Sequence, residues 1–130
     1  MVAGNLTGVV RDDLLAATRP RHPLHHPLDE LVGWLRHRDR DHRAELSGGG
    51  SLEVSGISLS SQRVQAGDLY AALPGSRAHG ASYAAAAIAQ GAVAVLTDDE
   101  GAALLAGTVP ALVVDRPRSV LGALSAHVYG

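Results

Sequence analysis

Apolar residues recur at helical spacing early in the chain. Four of them fall at positions i, i+3, i+4 and i+7, namely Leu28, Leu31, Val32 and Leu35. This spacing places all four on one face of a helix. We therefore predict an amphipathic helix over residues 28–38. The glycine- and serine-rich stretch at 47–51 that comes after it is typical of a flexible loop.

From residue 52 onward, short apolar runs alternate with helical patterns. We predict strands over 52–59, 69–73, 92–97 and 109–114, and helices over 82–90, 99–106 and 117–129. Gly91 is well placed to end the first of these helices. Strands that alternate with helices of about 10 residues are typical of a layered α/β domain.

The first 27 residues show no such pattern. Three of them are prolines, Pro20, Pro23 and Pro27, which disfavour a regular helix or a central strand. We expect residues 1–27 to be a flexible leader and residues 28–130 to form one domain. A chain of 130 residues is long enough for a single hydrophobic core.

The overall composition excludes several classes of partner. The chain has no Phe, one Trp and three Tyr, so Ala, Val and Leu must supply most of the core. Its formal net charge is −2, and charges of both signs are scattered, which argues against a nucleic-acid partner. No apolar run approaches the roughly 20 residues that cross a membrane, and the start does not have the order of a secretory signal. We therefore expect a cytoplasmic protein with no membrane partner.

The absence of two residue types excludes specific chemistry. All 11 basic residues are Arg, and there is no Cys. Without Lys the chain has neither a nucleotide-binding P-loop nor a Schiff-base amine. Without Cys it has no disulfide, thiol nucleophile or Cys-ligated zinc.

The histidines do not form a metal motif in the sequence. Five of the seven lie in the leader or near the end of the first helix: His22, His25, His26, His37 and His42. Pro23 disrupts the helical spacing between His22 and His26, and no matching cluster of carboxylates accompanies them. We interpret these histidines as solvated side chains and predict no metal site.

Two strand-end loops are the candidate ligand-binding segments. The loop at 75–80 contains glycines, a hydroxyl and an arginine before a helix N-terminus, where N–H groups favour anions. It lacks both nucleotide-binding fingerprints, so an ordinary strand-to-helix connection remains the alternative. Ser60 and Ser61 end the preceding strand, where they could bind an anion or satisfy the backbone of the turn. A hydrolase triad of Ser61, Asp68 and His79 is a weaker alternative, since no nucleophile elbow is present.

An ordered set of segments resembles the N-terminal domain of the Mur ligases of peptidoglycan synthesis. The segments are GISLSSQ at 56–62, AGDLYAALPG at 66–75, HGASY at 79–83, GAVAVL at 91–96 and RSVLGALSAHVYG at 118–130. In the family, a G-[IV]-[ST]-L-D-S-R segment leads to P-G-D-L-F-[VA]-A-L-x-G. The resemblance covers about residues 28–130 and is strongest to the tripeptide synthetases of actinobacterial type.

The resemblance implies a fold and a division of labour. It implies a small layered mixed sheet flanked by helices, which holds the UDP end of UDP-N-acetylmuramoyl-L-alanyl-D-glutamate. In the family, further domains bind ATP, Mg²⁺ and the amino acid that becomes the third residue of the peptide. We therefore expect no cofactor and no catalytic residue in this chain, and no ligase activity from it alone. The remaining ligase domains would be its partners if the chain is a fragment.

The resemblance also implies the substrate-binding residues. Leu59 and Ser61 match positions near the uridine and the pyrophosphate, while Ser76, Arg77, Ala78 and His79 match the loop that lines the uracil. His79 stands where the family usually has Asp, and Gln62 stands where it usually has Arg, so the backbone contacts carry over better than the side chains. The alternative is a stand-alone binding module of the same fold. The coding sequence beyond Gly130 would discriminate between the two, since a ligase would continue into a P-loop.

Overall fold

The computed structural model describes residues 24–38 and 43–130. The strands are β1 (His26–Pro27), β2 (Ala44–Ser47), β3 (Glu53–Val54), β4 (Gly56–Ser58), β5 (Asp68–Ala71), β6 (Ala94–Thr97) and β7 (Ala111–Val114). The helices are α1 (Leu28–Arg38), α2 (Ala84–Gln90), α3 (Asp99–Leu105) and α4 (Pro117–Tyr129), with a 3₁₀ turn at Gly80–Tyr83 before α2. None of the described helices is long and apolar enough to span a membrane.

Five strands form a mixed sheet in the order β2-β7-β6-β5-β4. β4, β5, β6 and β7 run parallel, and β2 pairs antiparallel with β7 at one edge. β1 and β3 form a separate two-stranded antiparallel sheet. The parallel strands all end at the same edge of the sheet, where α/β proteins usually bind ligands. The fold is therefore the α/β arrangement with a small mixed sheet that we predicted.

The two faces of the sheet bury different side chains. Leu69, Leu96 and Leu112 join the cluster that packs against α1 and α4. Tyr70 and Val95 point to the other cluster, which is rich in alanine and includes residues of α2 and α3. Successive strand residues alternate between the faces, as the pleat requires.

Most predicted elements are present, with four corrections. The predicted strand at 52–59 is two strands, because β3 pairs with β1 whereas β4 pairs with β5. The predicted helix at 82–90 is helical from Ala84 only, after the 3₁₀ turn. β2 was not predicted.

The fourth correction concerns the predicted leader. His26–Pro27 form β1, so ordered structure begins before residue 28. The interpretation of His26 as a solvated side chain was wrong, because its ring is mostly buried and contacts Glu30 and the Val128 carbonyl oxygen. Residues 1–23 of the leader lie outside the described residues, as does His42.

Candidate functional site

The loops after β4 and β5 leave the same edge of the sheet side by side. The two strands are parallel neighbours, with Ser58 paired to Tyr70. Leu59 and Ser61 follow β4, and the segment 76–79 follows β5. Leu59 and Ser61 therefore follow one strand end and the segment 76–79 follows the neighbouring one, and of these six residues only Leu59 lines the groove described below.

The turn after β4 uses two of its three hydroxyls internally. The Ser58 hydroxyl donates to the Ser60 carbonyl oxygen at 3.0 Å and accepts from the Ser60 N–H at 3.2 Å. The Ser60 hydroxyl accepts from the Gln62 N–H at 3.3 Å. Among the described residues, the half-buried Ser61 hydroxyl has no such internal bond. Ser61 is thus the hydroxyl of this turn that remains available to a ligand.

A groove of about 300 Å³ opens beside Leu59. It is lined by Ile57, Leu59, Arg118, Leu121, Gly122, Ser125 and Tyr129. Leu59 is 41% exposed, so part of its apolar surface is open to the groove. The Arg118 guanidinium also donates to the Pro74 carbonyl oxygen at 3.4 Å. Arg118 therefore lies between the groove and the loop that follows β5.

The loop after β5 presents its backbone to solvent on a rigid support. Ser76, Arg77 and Ala78 are exposed. The loop is closed by the Gly80 N–H, which donates to the Leu73 carbonyl oxygen at 2.7 Å. A side chain at Gly80 would lie 2.8 Å from the Leu73 nitrogen, so glycine is required for this approach.

Tyr70 anchors the same loop from the sheet. Its hydroxyl donates to the Gly80 carbonyl oxygen at 2.9 Å. Burial, followed by the charge of Tyr83, raises the pKa of the Tyr70 hydroxyl. The hydroxyl therefore keeps its proton at neutral pH and remains a donor to the loop.

The His79 side chain is buried and used inside the protein. Its Nδ1 accepts a hydrogen bond from the Ala81 N–H at 2.9 Å, so the ring proton lies on Nε2. Nε2 donates to Asp98 Oδ1 at 2.8 Å, and the same oxygen accepts from the Gly101 N–H at 2.9 Å. His79 thus connects the loop to the first turn of α3. A ligand contact at this position would come from the backbone.

The structure does not assemble the weaker hydrolase alternative. Both ring nitrogens of His79 are bonded to Ala81 and Asp98, so neither serves Ser61 or Asp68. The Asp68 carboxylate accepts from the Gln65 N–H at 2.9 Å, in the turn before β5. Asp68 and His79 therefore both act as supports of loop structure.

Sequence reasoning missed the part of the groove that α4 supplies. Arg118 and Tyr129 are far from Leu59 in the chain, and no local motif marks them. Only the packing of α4 against β4 brings them together. A second groove of about 480 Å³, lined mostly by apolar residues of the α2 and α3 face, contains none of the six predicted residues.

Comparison with known proteins decides the family. Residues 53–129 match the family described as "Mur ligase family, catalytic domain". This chain belongs to the Mur ligase family. The match covers more than half of the chain and includes both strand-end loops. The resemblance that we inferred from the segments at 56–62, 66–75 and 91–96 is confirmed.

Curated relatives are similar over most of the chain. A UDP-N-acetylmuramoyl-L-alanyl-D-glutamate–2,6-diaminopimelate ligase of Streptomyces avermitilis is 47% identical over 113 residues, 86% of this chain and 21% of that protein. The Streptomyces coelicolor protein of the same name is 54% identical over 82 residues, 62% of this chain and 16% of that protein. A UDP-N-acetylmuramyl-tripeptide synthetase of Leifsonia xyli is 47% identical over 88% of this chain. The chain thus spans about a fifth of the length of the relatives that it matches.

Solved Mur ligase structures share the fold. MurF from Acinetobacter baumannii superposes with a TM-score of 0.53 and 21% identity, over 77% of this chain and 20% of that one. A second crystal structure of the same enzyme gives the same TM-score over 78% of this chain. At this identity the likeness supports the fold alone, which agrees with the α/β architecture predicted from the sequence.

Proposed function

We propose that this chain is the substrate-binding domain of a Mur ligase and that it holds the UDP part of UDP-N-acetylmuramoyl-L-alanyl-D-glutamate. One observation carries the proposal. The loops after β4 and β5 leave neighbouring strand ends, beside a groove that offers an exposed Leu59 and the Arg118 guanidinium. The names of the relatives, which are ligases of this UDP-linked dipeptide, supply the substrate class.

The available groups match the chemistry of a uridine diphosphate. A uracil ring needs an apolar surface for its face and backbone groups for its edge, which Leu59 and the exposed segment 76–78 offer. A diphosphate needs cations and hydrogen-bond donors. Arg118 supplies a cation and the Ser61 hydroxyl supplies a donor. We assign the uracil to Leu59 and the loop, and the diphosphate to Ser61 and Arg118.

The residues of this chain do not fit ATP. The sequence has no Lys, and the loop at 75–80 has neither the spacing of a P-loop nor an α-helix directly after it. We therefore propose that ATP and Mg²⁺ act in the complete ligase through residues outside this sequence. That ligase would join the third amino acid of the peptide to the D-glutamate carboxylate. Purified chain 1–130 should show no ATP-dependent ligation, and turnover by it would contradict this assignment.

A nuclear magnetic resonance titration tests the binding site. UDP added to the ¹⁵N-labelled chain should shift the amides of Leu59, Ser61 and the segment 76–79. CDP should shift them less at the same concentration, because its base presents a different hydrogen-bonding edge. Shifts confined to the leader histidines, or equal shifts with both nucleotides, would reject the uridine assignment.

Matched variants distinguish a loss of UDP binding at this site from a general effect of the substitution on the protein. Leu59→Asp should abolish the UDP-induced shifts, since it places a charge against the uracil and near the diphosphate. Leu104→Asp is the control, because Leu104 is similarly exposed at 55% but lines the other groove. Arg118→Gln should weaken UDP binding more than uridine binding. Equal losses for both ligands would remove Arg118 from the diphosphate site.

A further inference from the structure

Three potential metal ligands from distant parts of the chain meet on the α1 and α4 side of the molecule. His26 belongs to β1, Glu30 to the first turn of α1 and His127 to the last turn of α4. His26 Nδ1 lies 3.0 Å from Glu30 Oε1. His127 Nε2 lies 3.2 Å from each carboxylate oxygen of Glu30, although 97 residues separate the two in the chain. One ligand atom from each residue falls within 4.8 Å of the others.

The hydrogen bonds of His26 direct one ring nitrogen toward the Glu30 carboxylate. Its Nε2 lies 3.2 Å from the Val128 carbonyl oxygen, which only accepts, so the ring proton belongs on Nε2. The neutral ring then turns the lone pair of Nδ1 toward the Glu30 carboxylate, which is also only an acceptor. Two lone pairs 3.0 Å apart repel each other unless a cation or a second ring proton lies between them. A cation between Nδ1 and the carboxylate, either a metal ion or a second ring proton, satisfies both atoms.

His127 is held in position for the same carboxylate. Its ring stacks on Trp34 with the centroids 4.2 Å apart and the planes 18° from parallel. The side chain is 23% exposed, and that of His26 is 13% exposed. Glu30 is 42% exposed, which leaves solvent access to the cluster. The imidazoles are therefore fixed, while the carboxylate side remains open.

We propose that His26, Glu30 and His127 form a binding site for a divalent transition-metal ion, with zinc as the expected occupant. Two imidazoles and one carboxylate are a common ligand set for zinc that keeps an open fourth position for water. Ligand atoms around a tetrahedral zinc lie about 3.3 Å apart, given the bond lengths of the ion. The two separations between a histidine nitrogen and Glu30 Oε1, 3.0 and 3.2 Å, are close to that value, and the two histidine nitrogens lie within 4.8 Å of each other.

The surroundings of His26 support the same assignment. A histidine that binds a metal usually donates its other ring N–H to a carbonyl or a carboxylate. The Val128 carbonyl oxygen occupies that place for His26. The ion would join the start of α1 to the end of α4, and it uses none of the residues proposed to hold UDP. The metal site and the UDP site can therefore be tested independently of each other.

Calorimetric titration of the full 130-residue chain, without a histidine tag, tests the site. Zinc chloride should bind with one saturable equivalent and raise the midpoint of thermal unfolding. Co²⁺ should give the intense visible bands of a four-coordinate ion, and zinc should displace it. Absence of saturable binding would overturn the proposal.

Variants locate the ion. His127→Gln and Glu30→Gln should each weaken zinc binding by at least roughly 10–100-fold. That is the loss that usually follows when a hydrogen-bond partner of a metal ligand is removed, and here a ligand itself is removed. The double variant His22→Gln/His25→Gln and the single variant His37→Gln are controls that should retain the affinity. Loss of binding in these controls, or its retention in the first two variants with circular dichroism unchanged, would overturn the assignment.

Discussion

The Tyr129 hydroxyl accepts a hydrogen bond from the Ile57 N–H at 2.9 Å and donates one to the Ile57 carbonyl oxygen at 3.1 Å. Ile57 belongs to β4, the edge strand of the five-stranded sheet. Exposed strand edges invite pairing with other chains, and a side chain that covers them prevents this. The two bonds also fasten the end of α4 to the strand that leads into Leu59 and Ser61.

Tyr129→Phe should lower the free energy of unfolding by about 1–2 kcal/mol, because two hydrogen bonds to backbone groups are lost. Chemical denaturation with urea measures the change. Tyr83→Phe is the matched control, since Tyr83 is 52% exposed and its loss of a hydroxyl should change stability by less than about 0.5 kcal/mol. Equal effects of the two substitutions would show that the Tyr129 hydroxyl does not support β4.

The contact between His79 and Asp98 gives a second prediction. Asp98→Ala removes the N-cap of α3 and leaves the His79 Nε2–H without its acceptor, so it should cost about 2–4 kcal/mol. Asp98→Asn should cost less than about 1.5 kcal/mol, because both bonds fall on Oδ1 and an amide oxygen can accept both. Thermal unfolding of the two variants compares them. Similar losses for both would mean that the negative charge, rather than the acceptor, is required.

Local patterns were sufficient to predict the helices of one face. α1 and α4 have the predicted bounds because apolar spacing and a first-turn proline mark them directly. The buried strands were found within two residues at most ends, since each is a short apolar run. β2 was missed because its four residues alternate only weakly and gain their pairing from β7, far along the chain. Tertiary pairing, not propensity, makes Ala44–Ser47 a strand.

The candidate site, like the fold, could be predicted from the sequence only in part. The two strand-end loops could be predicted, because small polar residues after apolar runs are a local signal. The internal bonds of His79 could not, since they depend on how α3 begins beside the loop. The place of Arg118 in the groove, and the meeting of His127 with Glu30, depend on the path of α4 across the sheet. Contacts between distant segments have no local signature in one sequence.

Two glycines in helices should respond oppositely to alanine. A Cβ at Gly101 would lie 1.8 Å from Thr97 Oγ1 and 2.7 Å from His79 Cε1, so Gly101→Ala should destabilise the protein by about 2–3 kcal/mol. Nothing lies within 4 Å of a Cβ at Gly33, an exposed position in α1. Gly33→Ala should therefore stabilise by about 0.5–1 kcal/mol through helix propensity. Urea denaturation of both variants decides the matter, and stabilisation by Gly101→Ala would refute the close packing of α3.

The stability of the protein at alkaline pH should depend on the buried hydroxyl of Tyr70. Its pKa in the folded protein is raised above 10.0 by burial, followed by the charge of Tyr83. The chain contains neither Lys nor Cys, so among its side chains only tyrosines are expected to titrate between about pH 9 and 11. Above pH 10.0 the unfolded chain releases a proton that the folded chain retains. The free energy of unfolding must then decrease as the pH rises. The contribution of the Tyr70 hydroxyl to stability is fully present only below pH 10.0.

Comparison of the native chain with Tyr70→Phe tests this coupling. At pH 7 the variant should be less stable by about 1 kcal/mol, because the hydrogen bond to the Gly80 carbonyl oxygen is lost. As the pH rises toward about 11, the native chain should lose stability faster than the variant, since the variant has no phenol to ionise at position 70. The difference between their free energies of unfolding should therefore narrow, and denaturant titrations at several pH values measure it. A difference that stays constant across this range would show that the Tyr70 hydroxyl ionises equally well in the folded and the unfolded chain, and hence that it does not hold the loop at Gly80 as a buried donor.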